Sequence, residues 1–148
     1  MQRLRPPPSR GHACEPCADG PRAIVVFEDR AAALSLKWLR PGFRHCFCLV
    51  RRPAGWIVCD PLKSVTRLEV VSCYEERELL AHYRALNMKA LVGSCFSVQP
   101  KLPVFRPLTC VEIVKRVIGL HAATVWTPHQ LYRALRRAGF VDEPSAAL

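Results

Sequence analysis

Phe43-Arg44-His45-Cys46-Phe47-Cys48-Leu49-Val50 and Trp56-Ile57-Val58-Cys59-Asp60, joined by Arg51-Arg52-Pro53-Ala54-Gly55, form the stretch on which the fold turns. Both flanks are rich in β-branched and aromatic residues, and the charged Pro/Gly-containing segment between them has the length of a hairpin loop. The reading is therefore an antiparallel hairpin. Pairing Val50 with Gly55 sets His45 directly opposite Asp60, with their Cβ atoms about 4.5–5.5 Å apart on one face. An imidazole and a carboxylate then stand side by side at the open end of the hairpin, where strand termini give side chains access to solvent. A slip of one residue would send them to opposite faces.

Further along, Pro107-Leu108-Thr109-Cys110-Val111-Glu112-Ile113-Val114-Lys115-Arg116-Val117-Ile118-Gly119 reads as an amphipathic helix over 109–118. Thr109 and Glu112 have capping-box spacing, Gly119 is a stop signal, and Val111, Val114, Val117 and Ile118 recur at helical intervals. Cys110 falls in the first turn, where unpaired N–H groups and the positive end of the helix dipole favour a thiolate. A small apolar residue opening a buried helix is the bland reading of the same position.

The remaining elements complete a mixed sheet-and-helix pattern. Residues 23–27 are a β-branched run, 64–72 alternate as a strand, and 90–98 form another apolar strand containing Cys95. Helices are expected over 30–39 and 75–86, and again from Pro128 with Thr127 as N-cap. Pro100, Pro103 and Pro107 read as an extended linker into the cysteine helix. The expected architecture is α+β: a central antiparallel sheet with the Cys110 helix packed on it and further helices outside. Residues 22–141 form one domain, preceded by a disordered Pro/Arg-rich tail over 1–21 and followed by a flexible C-terminus over 142–148.

Composition narrows the function. With 148 residues, half of them hydrophobic, the chain suffices for one core, and no apolar run approaches the roughly 20 residues of a membrane span. The N-terminal Met1-Gln2-Arg3-Leu4-Arg5-Pro6-Pro7-Pro8 lacks the apolar core of a signal peptide, so a soluble, cytoplasmic protein is expected. Its eight cysteines, mostly inside strand patterns, then read as reduced thiols. Cys14 and Cys17, with His12 nearby, have metal-ligand spacing but no second knuckle, and neither a metal nor a cofactor is expected. The formal charge of +10 is spread along the chain. Its best cluster is Arg133, Arg136 and Arg137, consistent with weak nucleic-acid attraction and not with a sequence-reading surface.

His45, Asp60 and Cys110 gain meaning together. A carboxylate beside a histidine fixes its tautomer, and the histidine can then take the proton of a helix-start thiol. His121 and His129 are alternative partners for the thiol, though neither shows a paired carboxylate.

The order of Arg44-His45-Cys46-Phe47, then Ile57-Val58-Cys59-Asp60-Pro61, then Thr109-Cys110-Val111-Glu112-Ile113-Val114 resembles the circularly permuted branch of the papain-like thiol hydrolases, the NlpC/P60 and lecithin:retinol acyltransferase-like group. It is also similar to uncharacterised short bacterial and phage-type proteins carrying the same Gly-Phe-Arg-His and Thr-Cys-Val-Glu elements. The resemblance covers roughly residues 43–119. It implies acyl chemistry through a thioester at Cys110, with His45 as general base and Asp60 as orienting group. The sequence departs from that group in placing Val111 and Glu112 directly after the cysteine. The Cys110 N–H is one candidate oxyanion donor, and Gln99 is the nearest upstream amide side chain. The resulting expectation is a cysteine-dependent hydrolase or acyltransferase acting on an unidentified amide, peptide or thioester. A non-catalytic basic binding or assembly module, for nucleic acid or protein, is the alternative on the same fold.

Overall fold

In the computed structural model, which describes residues 21–29, 38–97 and 107–142, the strand Arg22–Glu28 (β1) is the spine of the core. Its run Ala23-Ile24-Val25-Val26-Phe27 is wholly buried because both faces of the sheet are covered, which explains a continuous apolar stretch in place of alternation. β2 (His45–Arg52) and β5 (Lys89–Ser94) flank it, and β3 (Gly55–Pro61) and β4 (Thr66–Val71) extend the sheet beyond β2. The order is β4-β3-β2-β1-β5, antiparallel throughout.

The helix Glu76–Ala85 (α1) packs Leu79, Leu80 and Tyr83 with Ile24, Val26, Phe47, Leu49 and Trp56 on one face. On the other face, Cys110–Ile118 (α2) and Pro128–Arg137 (α3) bury Val111, Val114, Ile118, Leu131 and Leu135 against Val25, Phe27, Cys46, Cys48 and Cys59. The α+β expectation holds at this level: a five-stranded antiparallel sheet between helices. No helix among the described residues is long and apolar enough to cross a membrane.

The hairpin differs from its sequence reading. The turn is two residues, Pro53 and Ala54, and Val50 pairs with Ile57, two positions beyond the expected Gly55. Charge made Arg51 and Arg52 look like loop, yet Arg51 is buried. Its Nη1 donates to the Tyr74 carbonyl at 3.0 Å and its guanidinium lies over the Trp56 ring, 5.5 Å from the centroid. At Gly55, with φ of 129°, a Cβ would lie 2.6 Å from the Val71 carbonyl oxygen, so only glycine lets β3 begin this close to the end of β4. His45 is consequently not opposite Asp60. Its paired residue is Glu28 on β1, and Asp60 pairs with Arg67 on β4.

Other boundaries shift less. The 64–72 strand is Thr66–Val71, and the 90–98 strand ends at Ser94, after which the Phe96 N–H bonds the Ile118 carbonyl at 2.8 Å. Trp38 and Leu39, the end of the expected 30–39 helix, are not helical. The rest of that helix, the 1–20 part of the tail with Cys14 and Cys17, residues 98–106 with Gln99, Pro100 and Pro103, and residues 143–148 lie outside the described residues.

α2 is held at both ends and along its length. Thr109 Oγ1 accepts from the Glu112 N–H at 3.2 Å, as expected of the N-cap. The return half of the capping box is replaced: the Thr109 N–H donates to the Pro107 carbonyl, and the Glu112 carboxylate pairs with Lys115 and Arg116. Lys115 is buried, its Nζ donating to the Ala122 and Val125 carbonyls at 3.0 Å each. That ties the segment after α2 back onto the helix. Gly119, at φ of 77°, closes α2 in the left-handed conformation.

Candidate active site

Three strands and one helix bring four side chains together. β1 ends at Glu28, β2 begins at His45, β3 carries Asp60 near its end, and α2 begins at Cys110. His45 Nε2 is 2.8 Å from Asp60 Oδ1 and 4.0 Å from Glu28 Oε1. Both carboxylates are buried and the imidazole is nearly so. The contact expected between His45 and Asp60 thus forms, although the register that suggested it is wrong. A shift of two residues preserves the face on which a side chain stands, where a shift of one would have reversed it. The β2–β3 ladder stops at Cys48 and Cys59, so His45 reaches Asp60 diagonally, beyond the last paired residues.

Cys110 completes the cluster. It packs against the core face that carries Cys46, and its charge is set by both Cys46 and His45, successive residues of β2. Neighbours along a strand point to opposite faces. Cys46 lies with the α2 side of the core and Phe47 with the α1 side. Contact with both Cys46 and His45 is possible here because α2 starts at the very end of β2.

The electrostatics follow from these contacts. The hydrogen bond from the Cys46 thiol lowers the Cys110 pKa and burial opposes it. The hydrogen bond and charge of His45 and the Cys46 N–H then bring it down to about 4. Burial would lower the His45 pKa, but the hydrogen bond to Asp60, the hydrogen bond and charge of Cys110, and the Asp60 charge together raise it to about 9. Between these values the resting pair is thiolate and imidazolium. Burial first, then the Cys110 hydrogen bond and charge, push Cys46 well above the ordinary thiol range, so it stays protonated and can donate.

Asp60 also lines a cavity of about 20 Å³ on the α1 side with Phe47, Val58, Arg67, Glu69, Val71 and Tyr83. That is room for a water molecule behind the carboxylate. Among the described residues no group of three or more His, Cys, Asp or Glu is arranged to hold a metal ion.

The structure therefore brings together Cys110, His45 and Asp60, and adds Glu28 and Cys46, which the sequence reading does not include. An acidic residue closing an otherwise apolar buried strand is the available signal for Glu28. Cys46 has only its place next to His45. The alternative histidines are elsewhere: His121 is exposed after α2, and His129 meets the Phe43 ring edge-to-face with Nε2 2.9 Å from Arg40 Nη1. Gln99, the suggested oxyanion donor, lies outside the described residues. No family model, curated protein or solved structure matches the chain.

Proposed function

We propose that the protein is a cysteine-dependent hydrolase or acyltransferase, acting on an amide, peptide or thioester. The observation that carries this reading is the run of contacts from Asp60 through His45 to Cys110 at a helix N-terminus. Nucleophile, proton carrier and orienting carboxylate stand in the sequence that acyl transfer requires.

Cys110 Sγ attacks the substrate carbonyl, and the Cys110 N–H, unpaired within α2 because it lies in the first turn, faces the developing oxyanion. His45 already holds the proton and delivers it to the leaving group as the thioester forms. The neutral imidazole then takes a proton from water or an acceptor alcohol or amine, which releases the acyl group. Asp60 keeps the ring oriented through both steps, with Glu28 as a second buried carboxylate beside it. The succession of histidine strand, carboxylate strand and cysteine helix supports placing the fold with the circularly permuted papain-like group. The six described cysteines are free thiols, which supports a reducing, cytoplasmic setting.

The test is acyl trapping. A panel of acyl thioesters, p-nitrophenyl esters and peptide amides is incubated with the full chain, and intact and peptide masses are read. The expected result is an acyl increment on Cys110 and turnover that Cys110→Ser abolishes without loss of fold. Equal inertness, or equal activity, of the two proteins would overturn the proposal.

A second reading rests on the exposed basic face of α3, where Arg133, Arg136 and Arg137 all reach solvent. A polyanion-binding module needs that face and not the thiolate, so the two readings separate by mutation.

A further inference from the structure

Acyl transfer has no covalent use for Cys46, yet it stands at the start of β2 on the core face against which Cys110, the first residue of α2, packs. Cys46 is completely buried on the α2 face of β2, while Cys110 at the start of α2 is only half-buried. We infer that Cys46 and Cys110 are a redox couple: Cys110 is the thiol that meets peroxide and Cys46 the thiol that resolves it, closing a reversible disulfide across β2 and α2. The inference uses the reactive Cys110 thiolate of the proposed site but not its acyl chemistry.

The roles follow from exposure and protonation. A thiolate and not a thiol attacks peroxide, and Cys110 is both the charged and the accessible member. Its sulfur bonds to one peroxide oxygen, the O–O bond breaks, and the departing hydroxide takes a proton from the imidazolium of His45 and leaves as water. The Cys46 sulfur then attacks the sulfenic sulfur of Cys110. The S–O bond breaks, the S–S bond forms, and the hydroxide released leaves as a second water with the Cys46 proton. Two thiols lose two electrons in total and one peroxide becomes two waters. A dithiol reductant reverses the disulfide by exchange.

The geometry favours this pairing over the other cysteines on that face. A disulfide needs its sulfurs to close to about 2.05 Å, and Cys46 and Cys110 stand where the starts of β2 and α2 pack together. Cys110 is the first residue of its helix, so the adjustment falls on a helix terminus and not on the sheet. Cys48 and Cys59 are paired directly across β2 and β3, but both are buried in the core, and neither meets solvent peroxide as Cys110 does. Formation of the disulfide removes the proposed nucleophile reversibly and shields it from irreversible sulfinic and sulfonic oxidation.

The experiment treats the fully reduced chain with equimolar hydrogen peroxide, blocks free thiols, digests without reduction and maps linkages by mass spectrometry. The expected product is a cross-link between the Cys46 and Cys110 peptides, with fragment ions separating Cys46 from Cys48, and it disappears on adding dithiothreitol. In Cys46→Ala the cross-link is absent, and Cys110 accumulates first as a dimedone-trapped sulfenic acid and then as sulfinate and sulfonate. Wild-type protein oxidised at Cys110 to sulfinate without the cross-link overturns the inference, whatever the variant does, and leaves the acyl proposal standing. A Cys110 inert to peroxide also overturns the inference, and acyl trapping then decides the acyl reading separately. A cross-link in a protein that fails acyl trapping supports the couple and defeats the acyl reading alone.

Discussion

At the scale of residues, the site depends on one imidazole shared by two acidic partners. His45 is charged because Asp60 and Cys110 outweigh burial, and Cys110 is charged because Cys46 and His45 do the same for the thiol. Asp60→Asn keeps a hydrogen-bonding side chain of equal size but removes the charge. The His45 pKa should therefore fall from about 9 toward its ordinary 6.5, read by NMR titration of the ring. A His45 pKa unchanged in that variant would mean that Asp60 does not orient or charge the ring. The linked stability has a definite sign. His45, raised on folding, stabilises the fold fully below 6.5, and that contribution is lost as pH rises through about 9. Cys110, lowered on folding, stabilises fully above 9.0, and that contribution is lost as pH falls through about 4.

At the scale of elements, α2 presents the thiol and its two ends fix where the thiol stands. Gly119 closes the helix at φ of 77°, and a Cβ there would lie 2.6 Å from the Phe96 carbonyl oxygen. Gly119→Ala should lower the unfolding free energy by about 2 kcal/mol, measured by chemical denaturation, with the Cys110 alkylation profile retained. Caps of this kind are short-range signals, which is why α2 and α3 are legible in sequence with Thr109, Gly119, Thr127 and Pro128 in their expected roles. Hairpin register is different, because it depends on what the loop residues meet in the folded state. Arg51 enters the ladder since the Tyr74 carbonyl and the Trp56 ring receive its guanidinium, partners 23 and 5 residues away in the chain. The His45–Asp60 contact survives that misreading only because the error is an even number of residues. Glu28 and Cys46 escape the sequence reading for a related reason: their roles come from β1 and α2 arriving at the same end of β2, which no local pattern announces.

At the scale of the whole molecule, burying both faces of the central strands β1 and β2 places a charged cluster at the end of strands whose middles are wholly apolar. Burial of His45 and Asp60 lowers the local dielectric, which strengthens the ion pair. The surplus positive charge lies elsewhere, on surfaces such as the outer side of α3. Replacing Arg133, Arg136 and Arg137 together with alanine should weaken polyanion binding. Each phosphate that the variant no longer neutralises should flatten the salt dependence by about 0.9 in the log–log slope on duplex DNA. Cys110 alkylation in the same variant should not change. Reduced thiol reactivity there would join two surfaces that the fold keeps apart.

Cys110 rests as a thiolate because the Cys46 thiol and the His45 imidazolium stand beside it. Peptide-resolved alkylation of every cysteine as a function of pH, in wild type and in His45→Ala, decides whether this is so. Cys110 alone should gain reactivity along a pKa of about 4, and its profile should move toward the ordinary thiol value of about 8.5 when the imidazole is removed. What remains of the depression belongs to the Cys46 thiol and N–H. A Cys110 that follows an ordinary thiol profile in wild type, or one indifferent to His45→Ala, would contradict the claim.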